Sequence, residues 1–260
     1  MPRPIWSGAI SFGLVNVPVK LYSAVSPKDV RFHQLDSKTK SRIKQKRVSA
    51  ATGEEVPYED IIKGYELGPD TYVPIDPSEL EALDPQATKS IDIEDFVDLD
   101  QIDPVYFERP YYLVPDKGGT KAYALLREAM KETNKVGIAR MVLRTKQYLA
   151  AVRAKDDALV LETMLFADEV VDTDELDLPR DEVEVSPREE KMARQLIDSL
   201  TTDFEPEKYH DEYRERVLEL IEKKASGQEI VVEEAAEEPT KVVDLMAALE
   251  ASLAAVKKEK

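Results

Sequence analysis

From Ile10 to Tyr22 the odd-numbered positions Val15, Val17, Val19 and Leu21 are apolar and alternate with Asn16, Pro18, Lys20 and Tyr22. A period of two puts successive side chains on opposite faces, so this stretch predicts a half-buried strand. Gly8 and Gly13 flank its start, and Pro18 marks an edge or a bulge. Val30–Leu35 and Arg42–Val48 predict two more strands, with a turn at Thr52-Gly53. Between residues 54 and 115, β-like runs at Ile91–Val97 and Tyr106–Val114 are separated by turns at Pro69, Pro74, Pro77, Pro85, Pro104, Pro110 and Pro115. Many short strands with frequent turns indicate a barrel or sandwich rather than a parallel α/β sheet.

The period then changes. Gly118-Gly119-Thr120 opens a helix to about Glu132, with Thr120 as N-cap and Tyr123, Leu126 and Met130 on one face. Val136–Val152 and Ala158–Phe166 predict two long strands joined by a hairpin at Lys155-Asp156-Asp157. Ser186-Pro187-Arg188-Glu189 is a helix start: a serine cap, a proline at the first position and a glutamate completing a capping box. That helix carries a stripe of Met192, Leu196 and Leu200, and a second begins near Pro206 with Tyr209, Tyr213, Val217, Leu220 and Ile221 at helical spacing. Residues 228–240 are rich in Glu and Ala and predict a flexible linker. Lys241–Lys260 predicts a short amphipathic helix with Val242, Leu245, Met246, Leu249, Leu253 and Val256 along one side. The fold class expected is α+β and β-rich.

Composition narrows the chemistry. No apolar run approaches the roughly 20 residues of a membrane span, and the opening Met1-Pro2-Arg3-Pro4-Ile5-Trp6 has no secretory signal. There is no cysteine and there are two histidines, His33 and His210, so thiolate chemistry is excluded and a reducing cytoplasm is suited. Net charge is −17, which argues against a polyanionic partner until its distribution is considered. Residues 31–48 hold seven basic residues (Arg31, Lys38, Lys40, Arg42, Lys44, Lys46, Arg47) against Asp36 alone. Residues 117–155 hold ten, among them Lys135, Arg140, Arg144, Lys146 and Arg153, against Glu128 and Glu132. The rest of the chain carries 19 bases and 50 acids. Two basic islands in an acidic body favour binding at one place over smeared contact.

Within the first island Lys38, Lys40, Arg42, Lys44 and Lys46 occupy five successive even positions. In a strand all five would share a face, roughly 6.5–7 Å apart, opposite Thr39, Ser41, Ile43 and Gln45. An edge strand guarded by lysines is the bland explanation, but five in register repel one another, and a row of phosphates supplies the missing reason. Across Ile138–Lys146, Ala139, Met141 and Leu143 predict a packed side while Arg140, Arg144 and Lys146 share the other. Neither island interleaves aromatics as a single-strand stacking platform does, and no helix carries base-reading residues at recognition spacing. The pattern points to phosphate contact without base readout, on a duplex.

Enzymatic signals are few. The chain has no Walker-type glycine loop and no G-x-G-x-x-G. Asp92, Glu94 and Asp95 are the one carboxylate cluster suggesting a metal-dependent nuclease or phosphotransferase, and no histidine stands near it. An acidic protein-binding scaffold is the other alternative.

The run from Ile5-Trp6-Ser7-Gly8 through Phe12-Gly13-Leu14-Val15-Asn16-Val17-Pro18 to Leu21-Tyr22 closely resembles the opening of bacterial Ku proteins. Phe32-His33-Gln34, Gly53-Glu54-Glu55-Val56-Pro57-Tyr58, Lys63-Gly64-Tyr65-Glu66, Ile102-Asp103-Pro104-Val105-Tyr106-Phe107, Tyr111-Tyr112-Leu113 and Val142-Leu143-Arg144 continue the resemblance over residues 1–225. Val243-Asp244-Leu245-Met246 adds to it. The resemblance implies a non-enzymatic homodimer that closes a ring on double-stranded DNA ends and recruits an ATP-dependent ligase of the ligase D type in non-homologous end joining. It implies no cofactor, and a cytoplasmic, nucleoid-associated location. In those terms residues 1–185 form a β-barrel core with an arm at about 31–58 arching over DNA. Residues 186–227 form a helical packing or dimer element, and 228–260 a linker and ligase-contact helix bearing Val243, Leu245, Met246, Leu249 and Leu253. The DNA contacts fall to the basic residues named in the two islands. Two departures stand out. Ser49 and Thr52 occupy positions where some relatives carry Cys-x-x-Cys, which removes a zinc site. The short basic end, Lys257-Lys258-Glu259-Lys260, replaces a long lysine-rich tail, so tail-dependent threading is not expected.

Overall fold

A computed structural model describes residues 3–83, 89–143, 146–179, 185–227 and 245–259. The chain divides into two compact units, residues 1–27 with 33–172, and residues 28–32 with 173–260.

The first unit is built on a closed barrel. Its strands are β1 (Trp6–Phe12), β2 (Val15–Ser23), β5 (Ser90–Asp98), β6 (Phe107–Pro115), β7 (Lys135–Leu143), β8 (Lys146–Lys155) and β9 (Ala158–Met164), in the spatial order β1-β2-β6-β9-β8-β7-β5. Between β2 and β5 the chain adds β3 (Lys63–Gly68) and β4 (Thr71–Ile75), a separate hairpin, and a short helix α1 (Pro77–Leu83). Closure comes from β1 pairing parallel to β5, Ile10 opposite Ile91. All the other barrel pairs are antiparallel.

The expected alternation fills the interior. Ile10, Val17, Val19, Leu21, Ile91, Leu113, Val152, Leu159 and Leu161 are fully buried in one cluster. Ala151, between Ala150 and Val152, must point the other way, and it joins Ile102, Val136 and Met164 in a smaller apolar cluster on the outer wall.

Two predicted strands prove to be hairpins. The Ile10–Tyr22 segment folds back at Gly13-Leu14, with Phe12 opposite Val15. Gly13 has φ +58 and Leu14 does not share that sign, the geometry of a two-residue turn with glycine at its first central position. Likewise Val136–Val152 is two strands, with Leu143 opposite Lys146. The hairpin at Asp156-Asp157 is present, Lys155 facing Ala158.

Helix α2 (Thr120–Thr133) buries Tyr123, Leu126 and Met130 against the barrel as expected. Its N-cap is Gly119 rather than Thr120, which is the first helical residue and makes no capping bond. The helix ends on Asn134 in the left-handed region, φ +53, where an Asn is tolerated.

The second unit is helical. Helix α3 (Pro187–Leu200) starts on the expected capping box: Ser186 Oγ accepts from the Glu189 amide at 3.3 Å, and the Glu189 carboxylate accepts from the Ser186 amide at 2.8 Å. Pro206 opens only a 3-10 turn. Helix α4 (Glu212–Ala225) begins later, capped by Asp211, whose carboxylate accepts from the Arg214 amide at 2.9 Å. Helix α5 (Leu245–Glu259) packs on α3, with Arg188 and Glu250 paired at 3.2 Å. No described helix is long and apolar enough to cross a membrane.

Candidate nucleic-acid interface

The first basic island is not the regular strand its period suggests. Residues 33–58 have only two isolated bridges, Leu35 with Arg42 and Val48 with Glu55, and so form two linked turns. Asp36 organises the first. Its amide donates to the Ser41 carbonyl at 2.9 Å, its carbonyl accepts from the Lys40 amide at 2.8 Å, and its carboxylate accepts from the Thr39 hydroxyl at 2.6 Å and the Lys38 amide at 2.9 Å. The Thr39 hydroxyl first, and then the Lys38 amide, hold the Asp36 carboxyl below its usual range. Lys38 therefore sits in the turn, and Lys40 is left-handed at φ +56. Strict alternation fails at these two residues because local side-chain bonds to the backbone outcompete an extended ladder.

The second turn occupies the positions that could have held a zinc site. The Ser49 amide donates to the Glu54 carbonyl and the Gly53 amide to the Ser49 carbonyl, both at 2.8 Å, with Gly53 at φ +72. Backbone bonding thus closes the turn around Ser49 and Thr52. Among the described residues no three His, Cys, Asp or Glu side chains are grouped to hold a metal.

The side chains of the two islands differ in one respect that sequence did not reveal. In the first, Lys46 pairs with Glu55 at 2.6 Å and the Arg47 guanidinium lies 5.3 Å from the centre of the Tyr58 ring. Lys38, Lys40, Arg42 and Lys44 are exposed and, among the described residues, have no acidic partner. Arg31 belongs to the other unit.

In the second island Lys135, Arg140, Lys146 and Arg153 are paired with carboxylates. Lys135 meets Asp98 at 2.7 Å, Arg140 meets Glu94 at 3.6 Å and Lys146 meets Glu169 at 3.7 Å. Arg153 binds both oxygens of Glu162, at 2.9 and 3.1 Å, and this pairing raises its pKa above the usual guanidinium value. Arg144 lies outside the described residues. The strand register accounts for Lys135, which is opposite Asp98, and brings Arg140 opposite Asp92 and within reach of Glu94 beside a shift in the ladder; Arg153 reaches Glu162 on the adjacent β9, and Glu169 follows that strand. Glu55 and Tyr58 stand in the Gly53–Tyr58 motif of the sequence, but nothing in their spacing marks them as partners of Lys46 and Arg47.

The tail residues divide in a similar way. Val243 lies outside the described residues, as does the Leu245 side chain. Met246, Leu249 and Leu253 are half-buried on α5, and Met192, Ala193 and Leu196 on α3 are half-buried too.

The family model for the Ku70/Ku80 β-barrel domain matches residues 11–193. Proteins named "Non-homologous end joining protein Ku" are similar over nearly the whole chain. The one from Anaeromyxobacter sp. (strain K) is 52% identical, covering 99% of this chain and 87% of its own length. The one from Coxiella burnetii is 45% identical, covering 99% and 96%. The "Ku 1" of Saccharopolyspora erythraea is 49% identical, covering 97% and 78%.

Proposed function

The chain belongs to the Ku family, and from that premise we propose that it binds the ends of double-stranded DNA without reading their sequence. On this reading it acts as a homodimeric ring in non-homologous end joining, protects the ends, and brings an ATP-dependent ligase of the ligase D type to them. It is a binding protein and not an enzyme, working in the cytoplasm at the nucleoid.

One observation carries the DNA contact: Lys38, Lys40, Arg42 and Lys44 are a concentrated group of exposed cations whose side chains pair with no acid among the described residues, in a chain of net charge −17. Cations already paired with carboxylates must break those pairs to meet phosphate, whereas unpaired ones release counterions from DNA at no such cost. The contact therefore centres on residues 38–44, with Lys46 and Arg47 following in the chain; Arg31 is a further proposed contact. Lys135, Arg140, Lys146 and Arg153 contribute less. Without base-edge readers the affinity follows backbone geometry.

The experiment compares a linear duplex with a covalently closed minicircle of the same sequence by gel shift. A ring must load from an end, so the linear duplex binds and the closed circle does not. Equal binding to both would sink the ring. Replacing Lys40, Arg42 and Lys44 together by Glu abolishes end binding while the thermal unfolding of the barrel is unchanged; retained binding would move the contact elsewhere.

A further inference from the structure

The two mouths of the barrel are unlike. One is closed by α2, where the Tyr123 hydroxyl donates to the Leu113 carbonyl and accepts from the Leu159 amide. At the other, where β1 and β6 begin and β2 and β7 end, lies a cavity of about 370 Å³. Ile5, Val25 and Leu143 give it apolar walls, and Arg109, Tyr111 and Tyr148 give it donors.

Tyr111 is only 7% exposed, yet its hydroxyl has no hydrogen-bond partner among the described residues. A buried tyrosine hydroxyl is normally paired, because an unpaired one has lost its water for nothing. Arg109, in the same lining, is exposed and makes no ion pair among the described residues, while Lys146 and Arg153 on β8 are both paired. Ser23 offers nothing further, since its hydroxyl donates to the Val25 carbonyl at 2.7 Å. The cavity thus presents a guanidinium and a buried phenol with no acceptor between them.

The missing partner is an anion with an apolar shoulder. A single planar guanidinium matches a carboxylate in a two-pronged geometry. A nucleic-acid strand would bring further phosphates past Glu108, Arg109's neighbour in the chain, and past Glu169, with no second free cation in the lining to meet them. The volume suits a peptide segment of two or three side chains, at the small end of ligand pockets. The geometry points to a docking pocket for a partner protein, one that presents a carboxylate beside a bulky apolar side chain. None of the lining residues is assigned to DNA, although Lys146 lies 5.1 Å from the ring centre of Tyr148, and the pocket does not depend on that assignment.

The test uses the full chain and four probes in titration calorimetry: acetyl-Leu-Glu-Leu-Phe-amide, its Gln counterpart, the Gln peptide with a free C-terminal carboxylate, and phenyl phosphate. The Glu peptide or the free-terminus peptide binds, and the neutral Gln amide binds at least about tenfold more weakly, as loss of a charge-assisted pair requires. Which of the two carboxylate peptides binds identifies a side chain or a chain terminus as the group recognised. Arg109→Gln abolishes the preference for carboxylate, and Tyr111→Phe weakens binding several-fold, while both variants keep their thermal unfolding and their DNA-end binding. The proposal is overturned if no peptide binds, if the Glu and Gln peptides bind equally, if Arg109→Gln changes nothing, or if phenyl phosphate alone binds.

Discussion

Tyr123 and Gly8 show how single positions hold the barrel. The Tyr123 hydroxyl is buried between β6 and β9 and serves both strands, so Tyr123→Phe leaves the Leu113 carbonyl and the Leu159 amide without that partner. We expect a loss of about 1–3 kcal/mol in denaturant unfolding. Burial, partly offset by the Leu159 amide, pushes the Tyr123 phenol above its ordinary value of 10.0. The folded state then holds its proton more tightly than the unfolded chain. Its contribution is complete below pH 10.0 and falls as pH rises toward the raised value. Tyr123→Phe should remove that part of the alkaline loss of stability, and an unchanged alkaline limb would refute it. At Gly8 a Cβ would collide with the Lys89 carbonyl and the Trp6 indole, where the parallel β1–β5 closure brings backbone and ring together. Gly8→Ala is expected to destabilise by about 1–3 kcal/mol through overpacking, read by urea titration. The Trp6-Ser7-Gly8 run is visible in the sequence, but the collision that explains its glycine is not, because Lys89 is far away along the chain.

Among the elements, the basic ribbon and the tail helix carry the functional predictions. The four cations Lys38, Lys40, Arg42 and Lys44, unpaired among the described residues and doubled in a dimer, predict a steep dependence of end binding on salt, with a log–log slope of about −7. The Lys40, Arg42, Lys44 triple change removes most of that slope along with the affinity. Changing Arg140 and Lys146 to Gln should alter the slope much less, because each gives up a carboxylate before it can meet a phosphate. If the two sets weaken binding equally, the distinction between the islands fails. For α5, Leu249→Asp with Leu253→Asp is expected to eliminate capture of a ligase D type enzyme in a pull-down while end binding is kept. Undiminished capture would place the ligase contact off this helix. The period of α5 was legible, but its packing on α3 was not, since half-burial of Met246, Leu249 and Leu253 depends on a neighbour some fifty residues earlier.

At the scale of the whole molecule, charge and assembly act together. On the proposed reading a body of net charge −17 repels DNA except where the first basic island concentrates positive charge, which would confine binding to one geometry. A ring of two copies should sediment at twice 29.4 kDa without DNA and remain a dimer on a short blunt duplex. A monomer that binds ends unchanged would remove the ring while leaving end binding in place.

The sequence by itself determined β5, β6, β9 and the helices α2, α3 and α5, the capping box at Ser186, the buried face of α2 and the family, because period, capping and motif are all local properties of the chain. It misjudged both folded-back strands, the first because the two-residue turn at Gly13-Leu14 interrupts a continuous apolar alternation, and it predicted strands over Val30–Leu35 and Arg42–Val48 where only isolated bridges form. Only the tertiary structure decided that the barrel closes through β1 and β5, that Lys135, Arg140, Lys146 and Arg153 meet Asp98, Glu94, Glu169 and Glu162, and that Arg109 and Tyr111 share a cavity with Ile5, Leu143 and Tyr148. The reason is common to all three. Each depends on residues brought together by strand pairing from distant parts of the chain, and no periodicity along a sequence records which strand will lie beside which.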